Sequence, residues 1–232
     1  MVLNKEKLIY IHIPKTGGIS IEEYLQSYYG YKRNTFLFNH GYGVYSSYNN
    51  SKNTIYPHMH YPLSHLVSEL NKNNIKVDDT WNIFSIVRNP YHKLLSAMFY
   101  EEKLPLKYNY FTLPEKQRSY YLNSMLSEYI HSDTNFNYHS NHTYPQHLFF
   151  ENSNLNYKIF KFEQGLENIL IELGFSNVDK LPHKLNTFVS LGIPKPKYET
   201  LYTNEFINYV NQNYKEDFEL FGYEMLDSNI YP

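Results

Sequence analysis

The stretch that decides the fold is KLIYIHIPKTGGISIEEYL, residues 7–25. It opens with an apolar run rich in β-branched residues, formed by Leu8, Ile9, Ile11 and Ile13. Such a run is typical of a strand that is buried on both faces. Pro14 has no N–H and ends the strand, and Gly17-Gly18 permits backbone torsions that are closed to other residues. The sequence therefore predicts a buried strand followed by a tight loop.

The spacing of apolar residues changes after this loop. Ile21, Tyr24, Leu25 and Tyr28 follow the i, i+3, i+4, i+7 pattern, which predicts a helix from about residue 19 with one buried face. A loop at the start of a helix directs backbone N–H groups and the positive end of the helix dipole at one place. Lys15 adds a full positive charge there. We therefore expect this loop to bind an anion.

A second strand-to-helix junction follows the sequence WNIFSIV, residues 81–87. This segment has the composition of another buried strand and runs directly into Arg88. Asn89 is a good N-cap and Pro90 suits the first position of a helix, so a helix is expected to begin there. A cation therefore lies at the tip of this junction too.

Strands alternate with helices along the rest of the chain. A third strand is predicted at residues 157–162, and Thr112 with Glu115 resembles a capping box that opens a further helix. Strands separated by helices indicate a parallel sheet, whose ligand crevice lies at the carboxyl ends of the strands. We predict an α/β fold with one domain over residues 1–232, built on a central parallel β-sheet flanked by helices.

Composition limits the classes of function. The net charge of −2 provides no field for nucleic acid, and the absence of cysteine excludes disulfides and cysteine-based zinc sites. No apolar run approaches the ~18 residues of a membrane span, and the first residues lack the pattern of a secretory signal. We expect a soluble intracellular, for example cytoplasmic, protein with no nucleic-acid partner and no membrane span.

Together, the two junctions resemble the cofactor motifs of sulfotransferases that use 3′-phosphoadenosine 5′-phosphosulfate (PAPS). HIPKTGGIS, residues 12–20, resembles the family signature His-Ile-Pro-Lys-Thr-Gly-Gly-Thr-Ser for the 5′-phosphosulfate. RNPYHKLLS, residues 88–96, resembles the signature Arg-Asn-Pro-Tyr-x-Arg-Leu-x-Ser for the 3′-phosphate. Residues 181–183 and 214–223 are similar to the end of the carbohydrate-modifying branch. The resemblance implies the P-loop-NTPase-like sulfotransferase fold, with PAPS bound and adenosine 3′,5′-bisphosphate released.

The resemblance also implies roles for single residues. Lys15 would stabilise charge on the leaving phosphate, and Arg88 and Ser96 would hold the 3′-phosphate. The 5′-phosphate would be held by the segment Thr16, Gly17, Gly18, Ile19 and Ser20, through backbone N–H groups and the Ser20 hydroxyl. This chain departs from the family in two places, because Ile19 replaces a usual Thr and Lys93 a usual Arg.

The acceptor hydroxyl must lose a proton during transfer, so a general base is expected. His60 is the first candidate because it resembles the family's His-x-Pro element, and His58 is the second. Both could instead be structural or bind a metal, although no partner set at zinc-like spacing follows, and no metal is predicted. Residues 142–146 are a candidate contact for the acceptor.

The predicted function is sulfuryl transfer from PAPS to a hydroxyl, with a carbohydrate as the favoured acceptor. A tyrosyl or small-molecule acceptor is an alternative within the same chemistry. A kinase on a related phosphate-loop fold is a second alternative, although Lys15 precedes the glycines and so does not match a Walker A loop. A non-catalytic module that binds glycans through its many tyrosines is a third.

Overall fold

The computed structural model describes residues 1–30, 60–101, 110–132, 142–182 and 197–231. The chain divides into two compact units, the first made of Met1–Arg88 and Gln146–Lys184 and the second of Asn89–Pro145 and Leu185–Pro232. One domain over residues 1–232 stays a prediction.

The first unit contains a four-stranded sheet with the order β1-β2-β3-β4. The strands are β1 Val2–Leu3, β2 Leu8–Ile11, β3 Asn82–Val87 and β4 Lys158–Lys161. β1 pairs antiparallel with β2, whereas β2, β3 and β4 are parallel neighbours, so that Tyr10 lies opposite Phe84 and Val87 opposite Lys161. The carboxyl ends of the three parallel strands therefore share one edge of the sheet. The three predicted strands are confirmed, and the two-residue β1 is an addition.

Seven α-helices lie in the described part of the chain. In chain order they are α1 Gly18–Tyr28, α2 Leu63–Lys72, α3 Pro90–Glu101, α4 Glu115–Ser132, α5 Leu166–Glu172, α6 Asn204–Asn213 and α7 Lys215–Phe221. None of these described helices is both long and apolar enough to cross a membrane.

The core of the first unit lies between the sheet and its helices. Buried residues of β2 and β3, such as Tyr10 and Phe84, pack in one cluster with Ile21 and Leu25 of α1 and with Ile169 of α5. Helices thus flank a mostly parallel sheet, and the predicted α/β class is confirmed.

The second unit is helical in its described residues. Its core joins apolar side chains of α3, α4, α6 and α7, including Leu95, Leu122, Phe206 and Phe218. Asn89 caps α3 as predicted, because its side-chain oxygen accepts a 3.0 Å hydrogen bond from the N–H of Tyr91.

The predicted capping box at Thr112 is wrong. Thr112 lies in a 3₁₀ turn, Tyr110–Thr112, and α4 begins only at Glu115. The carbonyl of Pro114 accepts hydrogen bonds from Gln117 and Arg118, so Pro114 occupies the capping position instead. Pro114 cannot follow a residue in helical conformation without steric cost, and this delays the start of the helix.

Candidate functional site

The loop between β2 and α1 has the backbone shape of an anion-binding turn. Lys15 (φ +66°) and Gly17 (φ +81°) both adopt left-handed torsions on either side of Thr16. The Thr16 hydroxyl is buried and donates a 2.8 Å hydrogen bond to the carbonyl of Ile13, which holds the turn from inside. Among the described residues, no group accepts from the backbone N–H of Thr16, Gly17 or Gly18. Three N–H groups beside the start of a helix fit an anionic phosphate.

The two glycines of the loop are required for different reasons. A Cβ on Gly18 would lie 2.1 Å from the ring of His12, so only glycine leaves space for that imidazole. Gly17 combines its left-handed φ with a close approach to α5, where a Cβ would lie 2.9 Å from Cδ1 of Leu166. The loop therefore packs tightly against the core of its own unit.

Arg88 connects the second junction to the first. It follows the last residue of β3 and is only 7% exposed. Its Nη1 donates a 3.0 Å hydrogen bond to the carbonyl of Lys15, and its guanidinium lies over the ring of Phe162, 4.7 Å from the centroid. The two junctions therefore meet at the carboxyl edge of the sheet. Lys15 itself is partly exposed.

A buried amide holds the backbone of Arg88 in place. The side-chain oxygen of Gln146 accepts from the N–H of Arg88, and its nitrogen donates to the Arg88 carbonyl, both at 2.8 Å. Gln146 is fully buried. It pairs with Arg88 as a neighbouring strand would, at the point where the sheet ends. The predicted contact of residues 142–146 with the acceptor stays a prediction.

His60 lies beside the same loop. Its Nδ1 is 2.9 Å from the carbonyl of His12, and the two imidazole rings meet edge to face with centroids 4.5 Å apart. A carbonyl oxygen only accepts, so the hydrogen of neutral His60 is on Nδ1. Nε2 is then the nitrogen that can take up a proton.

His12 is buried and contacts three other residues of the site. Its Nδ1 lies 3.1 Å from Oε1 of Glu22, which is also buried; its ring abuts Gly18; and its carbonyl faces His60. Burial alone would raise the pKa of Glu22, but the nearby charges of His12 and the Met1 amino group outweigh it, so this pKa lies below its usual value. Burial, reinforced by the Glu22 charge, raises the pKa of the adjacent Tyr10.

The remaining predicted residues have different surroundings. Ile19 is partly exposed and Ser20 buried in the first turn of α1, and Ser96 lies on α3 in the second unit. Their predicted cofactor contacts stay predictions. His58 lies outside the described residues. Within those residues, no group of three or more histidine, aspartate or glutamate side chains is arranged to hold a metal ion.

Lys93 is fully buried in the second unit. Its ammonium donates to the carbonyls of His142, at 2.8 Å, and Tyr144, at 2.7 Å. The hydroxyl of Tyr214 donates to the carbonyl between them, that of Thr143. The residue that replaces the usual Arg thus holds a loop of its own unit.

Sequence reasoning missed His12, Glu22 and Phe162 as parts of this site, and it missed the contact between Gln146 and Arg88. A signal existed for two of them, because His12 lies within the quoted motif and Glu22 is four residues after Gly18, one helical turn along α1. Gln146 and Phe162 are far away in sequence and follow no local pattern.

The fold places the two junctions together at the carboxyl edge of a parallel sheet, in an arrangement that fits an anionic ligand. A family model described as the sulfotransferase family matches residues 1–224 of this chain. The chain belongs to the sulfotransferase family, and the assignment supports sulfuryl transfer as its class of reaction. Neither a search of curated proteins nor a search of solved structures found a match.

Proposed function

We propose that the chain transfers a sulfuryl group from PAPS to a hydroxyl group of a carbohydrate. The observation that carries this proposal is the hydrogen bond between Arg88 and the Lys15 carbonyl. It joins the two segments that resemble the family's signatures for the two phosphate groups of the donor. Two cationic side chains and a set of N–H groups therefore belong to one site.

The residues of the loop fit the donor's 5′-phosphate. The N–H groups of Thr16, Gly17 and Gly18 supply neutral donors, and the start of α1 contributes the positive end of its dipole. Arg88 carries five N–H donors, and its hydrogen bond to the Lys15 carbonyl uses one of them. PAPS supplies the sulfuryl group when bound. We assign Arg88 and Ser96 to the 3′-phosphate, with Ile19 and Ser20 beside the 5′-phosphate.

Lys15 contributes a second positive charge to the proposed site. Its backbone is fixed by the left-handed torsion and the Arg88 contact, while its side chain is partly exposed. An ammonium in this place stabilises the negative charge that develops on the leaving phosphate as the sulfur–oxygen bond breaks. Because its backbone is held, little reorganisation is needed during the reaction.

His60 is proposed as the general base. The His12 carbonyl favours hydrogen on Nδ1, which leaves Nε2 to accept the proton of the attacking hydroxyl. His58, the second candidate, is the residue to test if His60 proves dispensable.

The carbohydrate acceptor rests on the similarity of residues 181–183 and 214–223 to the carbohydrate-modifying branch. Tyrosyl and small phenolic acceptors belong to the same reaction class and need the same base. A panel of hydroxyl acceptors therefore distinguishes among them without altering the donor assignment.

A binding experiment tests the donor site independently of the acceptor. A ligand that binds the folded state raises the melting temperature by mass action. We expect adenosine 3′,5′-bisphosphate to raise it in the wild type, and to raise it less in Lys15→Ala and Arg88→Met. ATP with Mg²⁺ should have the smaller effect. A preference for ATP with Mg²⁺ would instead favour the kinase alternative.

A further inference from the structure

A buried polar pair lies directly behind the phosphate loop. His12 follows β2 by one residue, and Glu22 lies in the second turn of α1, with 3.1 Å between His12 Nδ1 and Glu22 Oε1. Both side chains are almost completely buried. Burying an ionisable group is costly unless it is compensated, so a pair of this kind in a small core needs a reason.

The surroundings of His12 determine where its ring lies. The ring stacks on Tyr10, with centroids 5.8 Å apart, and occupies the space that a Cβ of Gly18 would need. Glu22 contacts Nδ1 from α1. The ring is thereby held from the strand, the loop and the helix. Because the ring is fixed against these three elements, it anchors the backbone segment that carries the His12 carbonyl.

That carbonyl is the partner of His60. Because it only accepts, its position decides that Nδ1 of neutral His60 carries hydrogen and that Nε2 does not. If the carbonyl moved away, both tautomers of His60 would be populated, and only one of them presents Nε2 as a base.

We propose that His12, held in place by Glu22, is a positioning residue for His60. Its ring anchors the backbone carbonyl that selects the tautomer of the base, and the same ring packs against the phosphate loop. The role rests on the proposed function, because it acts through the proposed base. The donor is bound by other residues, those of the phosphate loop and Arg88.

The test uses Glu22→Gln in the full chain, with His12→Asn as a second variant. Glu22→Gln keeps the shape of the side chain and removes its charge. We expect kcat for sulfuryl transfer to fall about tenfold, part of the usual contribution of a general base. The KM for PAPS and the affinity for adenosine 3′,5′-bisphosphate should stay within about twofold, because the loop donors are unchanged.

Gln26→Met provides the matched control. Gln26 is buried one turn further along α1, so a general loosening of that helix would appear in both variants. We expect Gln26→Met to retain the kcat of the wild type. Equal losses of kcat in Gln26→Met and Glu22→Gln would overturn the positioning role.

A spectroscopic readout keeps the test independent of turnover. In chain labelled with ¹⁵N-histidine, the resonances of His60 are identified by their loss in His60→Asn. We expect His60 of the wild type to carry hydrogen on Nδ1 near neutral pH. In Glu22→Gln and in His12→Asn we expect His60 to be a mixture of its two tautomers. An unchanged His60 tautomer in both folded variants would overturn the proposal. A wild type without transferase activity but with this tautomer pattern would instead count against the proposed function alone.

Discussion

The guanidinium of Arg88 donates a 3.0 Å hydrogen bond from Nη1 to the backbone carbonyl of Lys15. The two residues are far apart in sequence, yet they follow neighbouring parallel strands, β2 and β3. The cationic side chain of Arg88 thus fixes the backbone of Lys15, the second cation of the site. The Lys15 torsion is left-handed, which costs free energy for a residue with a side chain, and the contact helps to maintain it.

Replacing Arg88 should therefore disturb the loop as well as remove a charge. Arg88→Met is expected to lose about 2 kcal/mol of unfolding free energy, because a hydrogen bond to a charged group and the contact with the Phe162 ring both disappear. The affinity for adenosine 3′,5′-bisphosphate should fall at least about tenfold. Chemical denaturation and calorimetric titration measure the two effects. Arg118→Met, which removes a cation from α4, is the control and should leave this affinity unchanged.

Gly18→Ala tests the close packing of His12 against the loop. The φ of Gly18 is not left-handed, so the expected damage comes from the clash alone, with 2.1 Å between the new Cβ and the imidazole. We expect a loss of about 2 kcal/mol or more in unfolding free energy, as for other overpacked cores. Gly30→Ala is the comparison, because there only the positive φ of 73° opposes the new methyl group. A Gly18→Ala protein as stable as the wild type would show that His12 lies elsewhere.

Lys93→Arg tests whether the departure from the family pattern weakens the donor site. Because the ammonium is bonded to the carbonyls of His142 and Tyr144, we expect no gain in affinity for adenosine 3′,5′-bisphosphate. Lys93→Met should cost about 2 kcal/mol of unfolding free energy, since it removes a charged donor from two buried carbonyls. Titration and denaturation of both variants check these expectations. Tighter binding in Lys93→Arg would instead place this side chain at the cofactor.

The lowered pKa of Glu22 predicts how the unfolding free energy depends on pH. Its pKa is lower in the folded protein than the usual value, so its charge stabilises the fold at pH above about 4.3. That stabilisation is lost as the pH falls through the folded-state pKa. The difference in unfolding free energy between wild type and Glu22→Gln should therefore narrow below about pH 4.3. Denaturation at several pH values measures it. A difference that stays constant or widens on acidification would contradict the assignment.

Local patterns account for most of the framework. The β-branched run before Pro14 and the Asn89-Pro90 start of α3 follow from short-range rules, and both appear in the structure. Thr112 and Glu115 show where such rules fail. The pattern was present, but Pro114 lies between the two residues and determines where α4 begins.

The contacts that assemble the site are harder to predict. Gln146 reaches Arg88 across 58 residues, and no periodicity in the sequence marks that pairing. His12 and Glu22 lie close to the motif, but their contact depends on how α1 packs on β2, which only the folded chain defines. Lys93 shows the converse problem, because it lies within a recognised motif while its ammonium is bonded to backbone carbonyls.

The most direct measurement is transfer of labelled sulfate from PAPS to a panel of glycans, tyrosyl peptides and small phenols. We predict labelled glycan with the wild type and a loss of about 100-fold or more in both Lys15→Ala and His60→Ala. Lys72→Ala, which removes an exposed cation from α2, should transfer at the wild-type rate. Absence of transfer to every acceptor by folded protein, or full activity in Lys15→Ala, would contradict the central claim.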